Sequence, residues 1–215
     1  MNDIKEIIKA EKIVTILRNV PTLHLEKLLE ILKEEKIKVL EIALNSNDIE
    51  EQFKILKKYE NDFIIGAGTV TTKERLKFAI KNNVKFILTP NTDEEILKEV
   101  EKTNILCVCG FLTPSEAAIA LKYKCCKILK LFPANEMPMT YLKALKGPLN
   151  NFDCMAVGGV SEKNMNEFFK RGFCSVGLGS SLIDNKLIKE NKFEELREKI
   201  KNTKNILKNI EATKI

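Results

Sequence analysis

Eight short apolar, β-branched runs recur along the chain, and an amphipathic segment separates each run from the next. The first run passes into its loop as ILRNVPTL, which carries no glycine-rich dinucleotide fingerprint. Strict strand–helix alternation implies a parallel sheet covered by helices. Together these features predict an α/β protein, a (β/α)8 TIM barrel with an extra N-terminal helix. The chain's 215 residues sit near the lower size limit of such barrels, about 200 residues. A doubly wound open sheet is the alternative, and it would usually show the missing fingerprint. One barrel domain is expected over 1–215, without linker or low-complexity segment.

The elements follow in order. MNDIKEIIKAEK (1–12) is a short amphipathic helix without the apolar core of a signal peptide. The expected strands are KIVTILR (12–18), KVLEIAL (38–44), FIIGAGTV (63–70) and KFILTP (85–90), then ILCVCG (105–110), KILKLFP (127–133), DCMAVGG (153–159) and CSVGLGS (174–180). Between them LHLEKLLEILKEEK, DIEEQFKILKKYE, KERLKFAIKNN, DEEILKEVEK, PSEAAIALKYK, MTYLKALKG and EKNMNEFFKRG read as helices, and KFEELREKIKNTKNILKNI follows the last strand. Thr113-Pro114 opens one helix, Ser161 is expected to cap another, and Gly172 to end it.

Composition narrows the function. Hydrophobic residues make up 44% and charged residues 31%, a globular profile. The net charge of +6 comes from 36 basic against 30 acidic residues, with the signs mixed along the helices. That is a solvated face and not a nucleic-acid footprint, which would cluster its charge. No run approaches the ~18 apolar residues of a membrane span. No nucleic-acid or membrane partner is therefore expected, and a cytoplasmic location is. The six cysteines, Cys107, Cys109, Cys125, Cys126, Cys154 and Cys174, lie in apolar runs without a CxxC and read as buried reduced thiols. The single histidine, His24, lies on a surface-type helix, so neither a histidine metal cluster nor a Ser-His-Asp triad is expected.

A barrel carries its chemistry at the C-terminal ends of its strands. The residues found there are Arg18, Glu41 with Asn45, Thr69, Thr89 with Pro90, Lys130 with Phe132, and the glycines of the last two strands. Lys130 sits among Ile128, Leu129, Leu131 and Phe132, and Glu41 lies in KVLEIAL. Burying either charge is costly. A structural ion pair is one reading, though a poor source of stability. The other is a nucleophilic amine beside a carboxylate that moves protons. VGGVSEKN and GLGSSL end the seventh and eighth strands, where barrels commonly bind phosphate through close-approaching backbone N–H groups. Ser161, as the start of a helix, would point its positive end the same way.

From ILR (16–18) to GLGSSL (177–182) the chain resembles the KDPG/KHG aldolase family, class I aldolases of 2-keto-3-deoxy-6-phospho sugar acids. The resemblance rests on ILR, LEIALNS (40–46), GAGTV (66–70), LTPN (88–91), LKLFPA (129–134), KGP (146–148), AVGGV (156–160) and GLGSSL, in order and at barrel spacing. It implies a Schiff-base lysine at Lys130, a proton-shuttling glutamate at Glu41, and a threonine near the substrate carboxylate at Thr69. It also implies phosphate binding by Gly158, Gly159, Gly179 and Ser180. Many members carry a carboxylate-binding arginine where this chain has Asn45, and Arg18 matches the arginine of members that use an alternative. Pro90, Phe132 and Val157 complete the expected substrate-facing set. The family is usually trimeric and metal-free, so a homotrimer with no cofactor is expected.

On this resemblance the expected reaction is cleavage of 2-keto-3-deoxy-6-phosphogluconate to pyruvate and D-glyceraldehyde 3-phosphate. The 6-phosphogalactonate epimer and 4-hydroxy-2-oxoglutarate are alternative substrates. Gluconate-type members typically have threonine where this chain has Val157, and EIALNS, LTPN and AVGGV look more like the galactonate branch. A lysine of ordinary pKa ~10.4 is neutral in about one copy in 2,500 at pH 7. Burial to a pKa of ~7–8 would make roughly 10–50% of it reactive. A phosphate-binding barrel isomerase or synthase, or a non-catalytic phosphometabolite-binding barrel, would share the glycine-rich ends without requiring the lysine.

Overall fold

A computed structural model describes residues 3–212. Residues 1–2 of the expected N-terminal helix and 213–215 of the expected domain lie outside the described residues. Eight parallel strands close in chain order into a barrel: β1 (Ile13–Leu17), β2 (Val39–Ala43), β3 (Ile64–Gly68), β4 (Phe86–Leu88), β5 (Leu106–Phe111), β6 (Ile128–Leu131), β7 (Cys154–Val157) and β8 (Ser175–Leu178). Each falls inside or within a residue of its expected run. The runs were longer because their ends continue as apolar or glycine-rich loop, where the ladder stops.

Helix α1 (Ile4–Glu11) precedes the barrel. After β1 to β7 come α2 (Thr22–Glu34), α3 (Ile49–Lys57), α4 (Lys73–Lys81), α5 (Glu94–Val100), α6 (Pro114–Ala120), α7 (Tyr141–Lys146) and α8 (Met165–Lys170). After β8 come α9 (Asn185–Lys189) and α10 (Phe193–Ala212). None of the helices among the described residues is long and apolar enough to cross a membrane.

Local chemistry sets the ends of these helices. The Thr113 hydroxyl accepts from the Glu116 N–H at 3.4 Å, and the Glu116 carboxylate accepts from the Thr113 N–H at 2.7 Å, a reciprocal cap for α6. Gly172, at φ +87°, ends α8 as expected. The start of α8 corrects the sequence reading. Ser161 does not cap it; Asn164 holds the N-cap position. The Ser161 N–H instead donates to the Asn164 side-chain oxygen at 2.8 Å, so the serine opens a tight turn one step before the helix. The short helix α9 was not anticipated, because SSLIDNKLIKEN is too brief to show a period. Asp184 caps it, accepting from the N–H of Lys186 at 2.9 Å.

Two apolar clusters share the strands. Alternate strand residues point outward beneath the helices, and the others fill the barrel. The inner set includes Val14, Ile16, Val39, Phe86, Leu88, Val108, Ile128, Met155 and Val157. Ile8 of α1 is wholly buried in that cluster, with Ile4 and Ile7 packed against it. Helix α1 thus contributes its apolar face to the barrel interior. Lys130 is two residues from Ile128 and Glu41 two from Val39, so both enter the interior by strand alternation. Two inward glycines of β3 make room: a side chain at Gly66 would strike the Phe86 ring, and one at Gly68 would strike the Glu41 carboxylate.

Candidate active site

Lys130 on β6 pairs in register with Gly110 of β5 and Met155 of β7. Glu41 on β2 pairs with Ile16 of β1 and Gly66 of β3. Both side chains are nearly removed from water, Lys130 at 6% exposure and Glu41 at 2%. The Lys130 ammonium stands 4.9 Å from the centre of the Phe132 ring, which gives it a cation–π partner in place of water.

Burial sets their proton affinities. Desolvation pulls Lys130 from 10.5 down to about 8; Glu41 opposes the change and Arg18 adds to it. Desolvation pushes Glu41 from 4.5 up to about 7, opposed by the charges of Lys130 and Arg18. An ordinary lysine and glutamate differ so much that the lysine always holds the proton. Here burial draws the two values close together, so a proton passes between Lys130 and Glu41 far more easily than between an ordinary lysine and glutamate. Near neutral pH the pair supplies both a neutral amine and a carboxylate.

Arg18 follows β1 and donates from Nη2 to the Thr69 hydroxyl at 3.3 Å. Thr69 has φ +57°, a left-handed conformation that costs a threonine roughly 1–3 kcal/mol. The turn is held in place: Nη1 of Arg75 donates to the Thr69 carbonyl at 3.1 Å and the Thr71 hydroxyl at 2.8 Å. Pro90 follows β4 beside Gly110, where an added side chain would strike the backbone of Thr89 and Pro90. The Gly110 N–H donates to the Thr89 hydroxyl at 3.0 Å. This fixes the strand next to Lys130.

Beyond Phe132 and Val157 lies a cavity of about 520 Å³, lined by Arg18, Gly158, Gly159, Gly179, Ser180 and Asn185 among others. Arg18 is its one charged lining side chain among the described residues. Gly158 and Gly159 take φ of +94° and +70°, backbone states that side chains disfavour. The carbonyls here are bonded from behind. Gly158 accepts from the Asn135 N–H at 3.0 Å, Gly159 from Asn164 Nδ2 at 2.9 Å, and Gly179 from the Leu182 N–H at 2.9 Å. In a trans peptide the next N–H points the opposite way. The amides of Gly159, Val160 and Ser180 therefore point away from those partners, and all three residues line the cavity.

The structure thus gathers Arg18, Phe132, Val157, Gly158, Gly159, Gly179 and Ser180 around one cavity, with Thr69 bonded to Arg18. Lys130 and Glu41 lie deeper, within the electrostatic reach of Arg18. Asn45 is exposed on the turn after β2; like Thr69, Pro90, Glu41 and Lys130, it is not among the residues lining this cavity. Sequence reasoning missed Asn185, whose Nδ2 donates to the Arg18 carbonyl at 2.9 Å, and Arg75 and Asn164, which brace the site. No motif flags them, because each acts across distant segments. His24 meets Phe193 edge-on at 5.7 Å, apart from this cavity.

Residues 4–199 match the family model described as KDPG and KHG aldolase. The chain is 33% identical over 145 residues to the 2-dehydro-3-deoxy-6-phosphogalactonate aldolase of Escherichia coli (strain K12), covering 66% of this chain and 70% of that one. It is 28% identical over 182 residues to the 2-dehydro-3-deoxy-phosphogluconate aldolase of Haemophilus influenzae, covering 84% and 85%. Among solved structures, one described as native KDPGal superposes with a TM-score of 0.83 at 26% identity, covering 92% of this chain and 95% of that one.

Proposed function

Because the chain belongs to the KDPG and KHG aldolase family and is a class I aldolase, a carbon–carbon lyase, we propose that it cleaves 2-keto-3-deoxy-6-phosphogluconate to pyruvate and D-glyceraldehyde 3-phosphate. The observation that carries this reading is the buried Lys130–Glu41 pair, with Lys130 over the ring of Phe132, which lines the cavity together with Arg18 and the glycines of the seventh and eighth strand ends.

The neutral Lys130 amine attacks the 2-keto carbon and water leaves, forming an iminium ion. Glu41 takes the proton of the carbon-4 hydroxyl. The bond between carbons 3 and 4 breaks, its electron pair flows to the iminium, and glyceraldehyde 3-phosphate departs. The enamine is protonated at carbon 3, and water releases pyruvate and restores the amine. The phosphate occupies the amides of Gly159, Val160 and Ser180. Arg18 and Thr69 receive the substrate carboxylate, in the part that Asn45 was expected to share. A homotrimer in the cytoplasm belongs to the same reading, on the family resemblance.

A second substrate is favoured by one feature. Val157 forms part of the cavity wall and packs where a side chain at Gly177 would fall, so it offers methyl groups and no hydroxyl to the substrate. That suits the 6-phosphogalactonate epimer at least as well as the gluconate. 4-Hydroxy-2-oxoglutarate, which has no phosphate, would not use the amides of Gly159, Val160 and Ser180.

The test is to incubate the protein with pyruvate and borohydride and to weigh it. One reduced pyruvyl group is expected, on the peptide containing KILKLFPAN, and none in Lys130→Ala. A label on another lysine, or a fully active Lys130→Ala, would overturn the assignment.

A further inference from the structure

Four thiols lie outside the chemistry described above. Cys107 and Cys109 are two residues apart on β5 and share its outward face, away from the barrel interior. Cys125 and Cys126 lie in the loop leading into β6. The two segments are joined where the Cys107 N–H donates to the Cys125 carbonyl at 2.9 Å. The sulfurs of Cys107, Cys109 and Cys126 all lie within 4.8 Å of one another, and all three residues are buried. A single buried thiol is ordinary apolar packing. Three sulfurs converging from two chain segments make a set of ligands.

We propose that Cys107, Cys109 and Cys126 form a binding site for one divalent thiophilic cation of the zinc type, separate from the aldolase site. A zinc–sulfur distance of about 2.3 Å places tetrahedral sulfurs about 3.8 Å apart. Each pair therefore needs to close by no more than about 1 Å, within the reach of side-chain torsions. A neutral oxygen lies beside one of the three sulfurs. Thr92 Oγ1 lies 3.5 Å from Cys109 Sγ. Its proton can be donated to the Gly110 carbonyl at 2.8 Å, which leaves a lone pair for the ion. Three thiols lose their protons to solvent on binding, so the ion and three thiolates carry a net charge of −1.

The site also has an approach. Cys125 lines a surface cavity of about 300 Å³ with Glu101, Thr103 and Lys124. Its sulfur stands 3.9 Å from Cys126 Sγ.

The reduced full-length protein should be titrated with zinc, and separately with cobalt(II) as the optical probe. The expected result is one equivalent bound per chain, a sulfur-to-cobalt charge-transfer band, and a rise in Tm with zinc concentration. Cys109→Ala and Cys126→Ala should each abolish the band and weaken zinc at least about 100-fold, beyond what outer-shell changes typically give. Cys174→Ala, at the partly exposed thiol, should keep both, which separates the site from adventitious surface binding. The unaltered protein decides the matter even if a core variant folds poorly. Absence of the band there, or an equivalent that survives Cys126→Ala with folding verified by circular dichroism, overturns the proposal.

Discussion

Gly68 leaves open the space that the Glu41 carboxylate fills: a methyl group on Gly68 would coincide with it. The two residues lie on neighbouring strands, where Glu41 pairs with Gly66 and Ala43 with Gly68. The first prediction follows from this contact. Gly68→Ala should push Glu41 out of place and lower turnover by about 10²–10⁴, the range of a lost general base. Borohydride trapping of pyruvate on Lys130 should persist. Turnover within a few-fold of the parent would show that Glu41 does not need this place.

The second prediction concerns pH. The productive free enzyme needs Lys130 neutral and Glu41 ionised, so kcat/KM should rise with pH through the apparent values of the pair, about 7 and about 8. Glu41→Gln should lower turnover by about 10²–10⁴. It should also remove an anion that holds Lys130 up, so the midpoint for trapping the pyruvate adduct should move below about 8. A midpoint that stays or rises in the folded variant would mean the two groups are not coupled.

For the phosphate, the amides beside Gly158, Gly159 and Gly179 predict that a substrate lacking its 6-phosphate loses catalytic efficiency, because remote binding energy positions the reacting carbons. Ser180→Asp places a carboxylate at that cavity and should raise KM for the phosphorylated substrate more than it lowers kcat. Equal efficiency with and without phosphate would favour 4-hydroxy-2-oxoglutarate instead.

Val157 supplies the fourth. Val157→Thr adds a hydroxyl to the cavity wall and should tilt the ratio of kcat/KM toward the gluconate epimer. A single added hydrogen bond is worth about 1 kcal/mol, or several-fold in rate. Kinetics on both pure epimers, before and after the change, measure it. An unchanged ratio would reduce Val157 to packing.

How much was legible beforehand differs by element. Every strand was, because a buried parallel strand is a dense β-branched run with turn residues at its ends. The cap at Thr113 was legible too, since its partner Glu116 is three residues away. Ser161 misled, because a serine before an amphipathic run looks like a cap whether its hydroxyl faces the helix or its N–H faces Asn164. Helix α9 gave no signal at five residues. Asn185 was invisible because its partner, the Arg18 carbonyl, lies 167 positions away.

The sequence by itself determined the barrel and the two charged residues that have no business in apolar strands, since period and burial cost are written in neighbouring residues. The tertiary structure decided what those charges are worth. Only closure of the barrel brings the strands bearing Glu41 and Lys130 around one interior. It strips both of water and brings their pKa values close together. It also decided that Arg18 lines the cavity while Asn45 stays exposed, and that three thiols from two segments converge. Those outcomes depend on distances between remote parts of the chain, and electrostatic and ligand interactions depend on distance in space.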